Sequence, residues 1–182
     1  MRKKILITVG VLIAIVVGGM LYLNNRNRTL SPPGQAELTA HGLSVSVDYS
    51  RPSVRNRVIF GTEEEDALQP YGKYWRFGAN ESTEITIDKD VTFNGESLKA
   101  GTYKIYAFPG QLSFEVGVNK ETGTWGYFEP DYEQDVFRTE VEVISPTVLT
   151  EQHTISLEET TTGIMLITQF EHVRLEIPIE PQ

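Results

Sequence analysis

An antiparallel β-sandwich or jelly-roll-like barrel behind one N-terminal transmembrane helix is the fold this sequence predicts, and three observations predict it. An uncharged apolar run of 19 residues, Ile5 to Leu23, opens the chain. Beyond it apolar and polar residues alternate with a period of two almost throughout, the pattern of half-buried strands. Turn dipeptides recur at short intervals with almost no helical pattern between them, as in an all-β domain.

As a helix, Ile5 to Leu23 rises about 1.5 Å per residue, roughly 28 Å in all, close to the thickness of a bilayer's hydrocarbon core. Arg2, Lys3 and Lys4 precede it and Arg26 and Arg28 follow it. Residues 1–4 therefore read as a cytoplasmic basic flank and residues 5–23 as a transmembrane anchor, with Tyr22 as an interfacial aromatic. A cleaved signal peptide has a shorter apolar core, roughly 7 to 15 residues, and small residues at the cleavage point. Met20-Leu21-Tyr22-Leu23-Asn24-Asn25 has no such pattern, and the chain has no cysteine to carry a lipid. The expectation is a retained single-pass signal anchor, a partner of the membrane, with the C-terminal domain extracytoplasmic, as in a periplasmic envelope protein.

Residues 24–35 are polar and hold Pro32, Pro33 and Gly34, which reads as a tether. Residues 36–182 then form one domain, enough for a single core. Five of the 16 Lys and Arg residues lie before Thr29, which leaves 11 against all 25 Asp and Glu, a net charge of −14 on the exported part. That balance argues against nucleic acid, or an anionic membrane surface, as a partner of the whole face.

Within the domain, Val45, Val47 and Tyr49 alternate with Ser44, Ser46 and Asp48, and Ile85 and Ile87 with Glu84, Thr86 and Asp88. Asn94-Gly95 between VTF and ESL is a type I′ hairpin signal, because both residues tolerate positive φ. Pro109-Gly110 separates TYKIYAF from QLSFEVGV, and further runs follow at 136–144, 154–158, 164–170 and 173–179. Nine or ten strands are expected. The one helical cue is Thr62-Glu63-Glu64-Glu65, a capping-box spacing stopped by Pro70.

Chemistry-bearing residues are densest between Asp48 and Thr83. Arg51, Arg55, Arg57, Lys73 and Arg76 gather five of the 11 exported cations into 26 residues. As a site they would grip an anion: Arg takes carboxylate or phosphate in a bidentate way, Trp75 offers a stacking face, and Asn80 and Glu81 orient hydroxyls. The candidate ligand residues are Arg51, Arg57, Lys73, Trp75, Arg76, Asn80, Glu81 and Trp125. The reading placed ahead of it is an internal network, with Trp75 in the core and Arg76 paired to Glu81 as a buried ion pair across a tight turn, because structural ion pairs also gather charges in this way.

Tyr49-Ser50-Arg51-Pro52-Ser53, Pro70-Tyr71-Gly72-Lys73, Trp75-Arg76, Gly78-Ala79-Asn80-Glu81, Gly101-Thr102-Tyr103 and Thr124-Trp125-Gly126 together resemble the bacterial family catalogued as domain of unknown function 2911. The resemblance covers Leu38 to Ile179. It implies an envelope-associated domain without an established activity and brings no catalytic residues with it. The acidic stretch within Gly61 to Leu68 departs from the family pattern as an insertion.

His41, His153 and His172 show no metal-ligand spacing. Asp131, Glu133, Asp135 and Glu142 fall on a calcium-loop template that fails at its glycine position, Val136. Neither metal nor cofactor is expected, and no nucleophile elbow or glycine-rich phosphate loop occurs. The reading favoured is a membrane-anchored envelope protein whose domain is a non-catalytic binding or interaction module. The alternatives are an enzyme or receptor for a small anionic or sugar-like ligand at the Arg/Trp patch, and a structural subunit docking on an envelope protein.

Overall fold

The computed structural model describes residues 2–182. Met1, and the side chains of Arg2, Lys3, Ile5 and Leu6, lie outside the described residues, and with them much of the 1–4 flank and the first two side chains of the 5–23 run. The chain opens with α1 (Arg2–Leu30). Thirteen strands follow: β1 (Pro33–Ala40), β2 (Leu43–Ser50), β3 (Phe60–Gly61), β4 (Gln69–Pro70), β5 (Thr83–Ile87), β6 (Val91–Phe93), β7 (Glu96–Leu98), β8 (Gly101–Phe108), β9 (Ser113–Asn119), β10 (Asp135–Glu142), β11 (Thr150–Glu159), β12 (Ile164–Glu171) and β13 (Val173–Pro181).

Ile7–Leu30 within α1 is long and apolar enough to cross a membrane, and its apolar window buries nothing against the rest of the chain. The tether expected over residues 24–35 is not a coil. Helix continues to Leu30 and strand begins at Pro33, leaving Ser31 and Pro32 between them. No proline or glycine interrupts Asn24 to Leu30, so nothing local stops the helix earlier. Pro33 opens an edge strand, where its missing N–H costs no ladder bond.

The domain is an antiparallel β-sandwich. One sheet runs β1-β2-β5-β8-β9-β10 and the other β11-β12-β13-β6-β7, with every neighbouring pair antiparallel. Alternation sends Leu43, Val45, Val47 and Tyr49 of β2 inward, against Leu175, Ile177 and Ile179 of β13 and Ile164, Leu166 and Phe170 of β12, all buried. Each such side chain contributes about 1.5–3 kcal/mol by leaving water, which lets the domain hold together without disulfides. The Asn94-Gly95 turn forms as expected, with φ of 49° and 85°.

The sandwich is tied shut along both sides. The Tyr49 hydroxyl donates to the Ile155 carbonyl at 3.2 Å and accepts from the Ile155 N–H at 2.9 Å, joining β2 to β11 of the opposite sheet. On the other side Asn94 Nδ2 donates to Thr139 Oγ1 at 2.8 Å and to the Glu140 carbonyl at 2.9 Å. Ile144 and Arg174 exchange backbone bonds of 2.9 Å there as well.

The helix expected at Thr62 does not form. Both capping-box bonds are made, Thr62 N–H to Glu65 Oε2 at 2.8 Å and Glu65 N–H to Thr62 Oγ1 at 3.3 Å. The chain then turns at Asp66, whose φ is 54°. Leu68 and Gln69 N–H groups bond to the Val58 and Ile59 carbonyls, so β3 and β4 pair, in parallel. Tertiary pairing of the flanks leaves too few residues for a helix to repay its nucleation.

The connection between β9 and β10, residues 120–134, folds back over the outer face of the first sheet. Beneath it Lys104, Tyr106 and Asn119 are buried although they point away from the sandwich core. Asp131 caps a 3₁₀ turn, Tyr132–Gln134, by accepting from the Glu133 N–H. Asp135 takes the Tyr106 hydroxyl at 2.6 Å and Arg138 Nε at 2.8 Å, so two carboxylates of the calcium template serve the fold.

Candidate functional site

The loops at one end of the sandwich close around the last turn of α1. Asn80, held at φ 57° by the turn it occupies, donates from Nδ2 to the Ser31 carbonyl at 3.0 Å. Arg55 Nη2 donates to the Leu30 carbonyl at 3.0 Å, a guanidinium on orphan carbonyls at the negative end of a helix dipole. Arg51 N–H reaches the Pro32 carbonyl at 2.8 Å. Arg28 pairs with Glu81.

Between this helix end and the domain lies an open depression of about 320 Å³. Arg57, Arg76, Asn80 and Trp125 line it together with Asn27 of α1 and Ser31 just after it. Five of the eight predicted ligand residues thus border it, Trp75 among them. Trp75 touches its floor but is 2 % exposed. Its ring packs among Phe60, Phe77 and His153 at centroid distances of 5.0, 4.9 and 5.5 Å, and its backbone bonds to Ala107 in both directions. It is a core residue, not a stacking platform.

The remaining candidates are elsewhere or engaged. Arg51 spends its guanidinium on the His153 carbonyl at 3.3 Å and Thr154 Oγ1 at 3.1 Å. Arg57, though on the rim, donates to the Val54 and Ser53 carbonyls at 3.0 and 2.7 Å. Lys73 meets Glu63 at 3.3 Å on the exposed surface. Glu81 faces a neighbouring depression of about 340 Å³ that it shares with Arg28, Asp48 and Glu84.

The Arg76–Glu81 pair expected across the turn does not form. Arg28 takes Glu81, because the helix extends far enough to bring it there. Arg76 instead lies over the Tyr127 ring at 5.6 Å. Burial lowers the Arg76 guanidinium's pKa, with Tyr74 and Tyr127 acting in the opposite direction. A half-buried cation with aromatic neighbours is short of counter-charge, which is the property an anion site needs.

Two titratable residues that matter to this end of the molecule were not legible as such. Lys104 is 1 % exposed; its ammonium reaches Thr124 Oγ1 at 3.3 Å and the Phe128 carbonyl at 3.5 Å. Burial lowers its pKa, while Glu121 and Glu84 raise it. In the sequence it alternates as an ordinary outward residue, and nothing local announces that residues 120–134 cover it. His153 is wholly buried, with Nε2 at 2.8 Å from Thr168 Oγ1. Burial pushes its pKa down to about 4, against the pull of the Ser50 carbonyl.

No curated protein matches the chain, and no solved structure does. A family model, described as protein of unknown function (DUF2911), matches residues 31–179. That match begins at the first residue after α1 and ends in β13, so it takes in the sandwich and the loops gathered at the helix end. Over its β-sandwich, the chain belongs to the DUF2911 family.

Proposed function

We propose that the chain is a membrane-anchored envelope protein, held by residues 5–23, whose extracytoplasmic sandwich is a non-catalytic interaction module. The observation that carries this reading is an apolar helix with an unburied face whose last turn is fastened directly to the domain by Arg28, Arg55 and Asn80. An apolar surface of that length is enough to span a bilayer, and the basic flank at Arg2, Lys3 and Lys4 favours an inside N-terminus. Alkaline carbonate extraction of membranes, with mass spectrometry of the mature N-terminus and protease accessibility from outside, tests it. The expected result is an intact N-terminus in the membrane pellet with the domain digested only from the outer side. A mature chain starting after Met20 would identify the helix as a cleaved signal sequence.

A second reading is a receptor or enzyme site for a small anionic or sugar-like ligand. The convergence of Arg76, Asn80 and Trp125 on one depression supports it. Calorimetric titration of the full chain with inorganic phosphate and with glucuronate, repeated on Arg76→Ala, tests this. Saturable heat lost in the variant is the expected sign, and no heat with either probe removes the reading.

A further inference from the structure

Residues 125–128 carry the most exposed aromatic cluster of the domain. Trp125, Tyr127 and Phe128 are 38 %, 66 % and 67 % exposed. Tyr127 and Phe128 stack edge to face with centroids 5.4 Å apart, so they stand as one apolar knob. Val148 and Leu149 form an exposed aliphatic pair, and others such as Leu112 stand singly, which is ordinary for a soluble surface. A grouped aromatic knob is not.

The loop is also held from beneath. The Tyr74 hydroxyl donates to the Gly126 carbonyl at 3.0 Å, and Lys104 reaches the Phe128 carbonyl. Gly126 N–H donates to the Asn80 carbonyl at 2.9 Å, and Asn80 in turn holds Ser31. Two hydrogen bonds therefore separate the knob from the end of α1. Asn27, on the same depression as Trp125, lies four residues beyond Leu23, about 6 Å along the helix axis. That places the loop at the depth of the headgroups of a bilayer that α1 crosses.

Charge at this end is mixed: Arg55, Arg57 and Arg76 adjoin the helix end, while Arg28 is paired with Glu81 and Glu129 directly follows Phe128. The aromatic side chains therefore carry the placement, since they favour the membrane–water interface.

We infer that the Trp125–Phe128 loop docks into the headgroup layer of the same bilayer that holds α1, as a second contact that seats the domain on the membrane surface. The inference rests on the anchor reading above. The chain has no cysteine, so Phe128→Cys gives a unique site for an environment-sensitive fluorophore. Lys89→Cys, in the exposed turn after β5 at the far end of the sheet, is the control. The full labelled chains are reconstituted into vesicles of phosphatidylcholine and phosphatidylglycerol that contain a lipid spin-labelled near the glycerol. Flotation reports anchoring and fluorescence quenching reports docking. Emission at position 128 should fall roughly twofold relative to position 89, as an interfacial side chain requires. Flotation with equal quenching at both positions overturns the docking and leaves the anchor standing. A chain that does not float overturns both.

Discussion

His153 sits neutral in the core because protonating it would place an unpaired charge among Trp75, Phe77 and Phe170. Its pKa, near 6.5 when unfolded, is about 4 in the fold. Below pH 6.5 the unfolded chain therefore binds the extra proton and the folded chain does not, so stability falls as pH drops from 6.5 towards 4 and levels off below. The full loss amounts to about 3 kcal/mol. Urea midpoints of the chain in detergent at pH 7 and pH 4.5 should show it, and His153→Gln, which keeps a partner for Thr168 without titrating, should shrink the difference. Charge pairs at the helix end invite a second measurement. A double-mutant cycle between Arg28 and Glu81 should give a coupling of about 0.2–1 kcal/mol, since both side chains are half exposed. The cycle between Arg76 and Glu81 should give none, the two being additive. In the sequence, a Gly78 to Asn80 turn made Arg76 the natural partner of Glu81; that Arg28 reaches it depended on where the helix stops, which no local pattern stated. Arg76, Asn80 and Trp125, named as ligand candidates, line one depression, while the core reading of Trp75 is realised through Phe60, Phe114 and His153, which are distant in the chain.

At the scale of elements, Tyr49 does what a strand cannot do alone. Its hydroxyl completes both backbone groups of Ile155 on β11, the edge strand of the opposite sheet, just past the register interruption between Thr150 and Thr154. Tyr49→Phe should strand a buried N–H and carbonyl and cost about 2 kcal/mol. Hydrogen exchange at Ile155 should accelerate while β5 and β8 stay protected. Strands with strict alternation, such as β2, β5, β12 and β13, were readable because burying one face fixes their period. The 62–65 segment was misread because its capping bonds are real but serve a turn, the flanking residues being drawn into β3 and β4. The strand hidden in the expected tether, β1, is an edge with alternating half-exposed residues, and its Pro33 and Gly34 resemble linker composition.

Across the whole molecule, β1 makes residues 33–35 part of the domain. Pro33, Gly34 and Gln35 pair with Ser50, Tyr49 and Asp48. Gly34 lies so close under Tyr49 and Arg51 that an added Cβ would sit 2.9 Å from one ring carbon and 2.7 Å from Arg51 Cδ. A chain starting at Ser31 should fold to an all-β domain, and one starting at Ala36 should melt a few degrees lower, at about 2–4 °C per kcal/mol lost. Differential scanning calorimetry of the two distinguishes them; equal melting temperatures would mean that the first three pairs of β1 contribute nothing. The fold class was legible because alternation and turn chemistry agreed over most of the chain, whereas the seat of the domain on its helix depends on side chains meeting over long separations and leaves no periodic trace.

The shortness of the Ser31-Pro32 junction has a mechanical consequence. A flexible leash of a dozen residues would let the head wander over roughly 19 Å, and two residues allow only about 8 Å. With the helix end clamped, even that freedom is spent. On the reading that α1 spans the bilayer, the head cannot tumble or turn over: it travels in two dimensions with one side permanently outward, and any tilt of the helix is passed to the sandwich as a rigid lever. A binding partner would then meet the same face on every encounter.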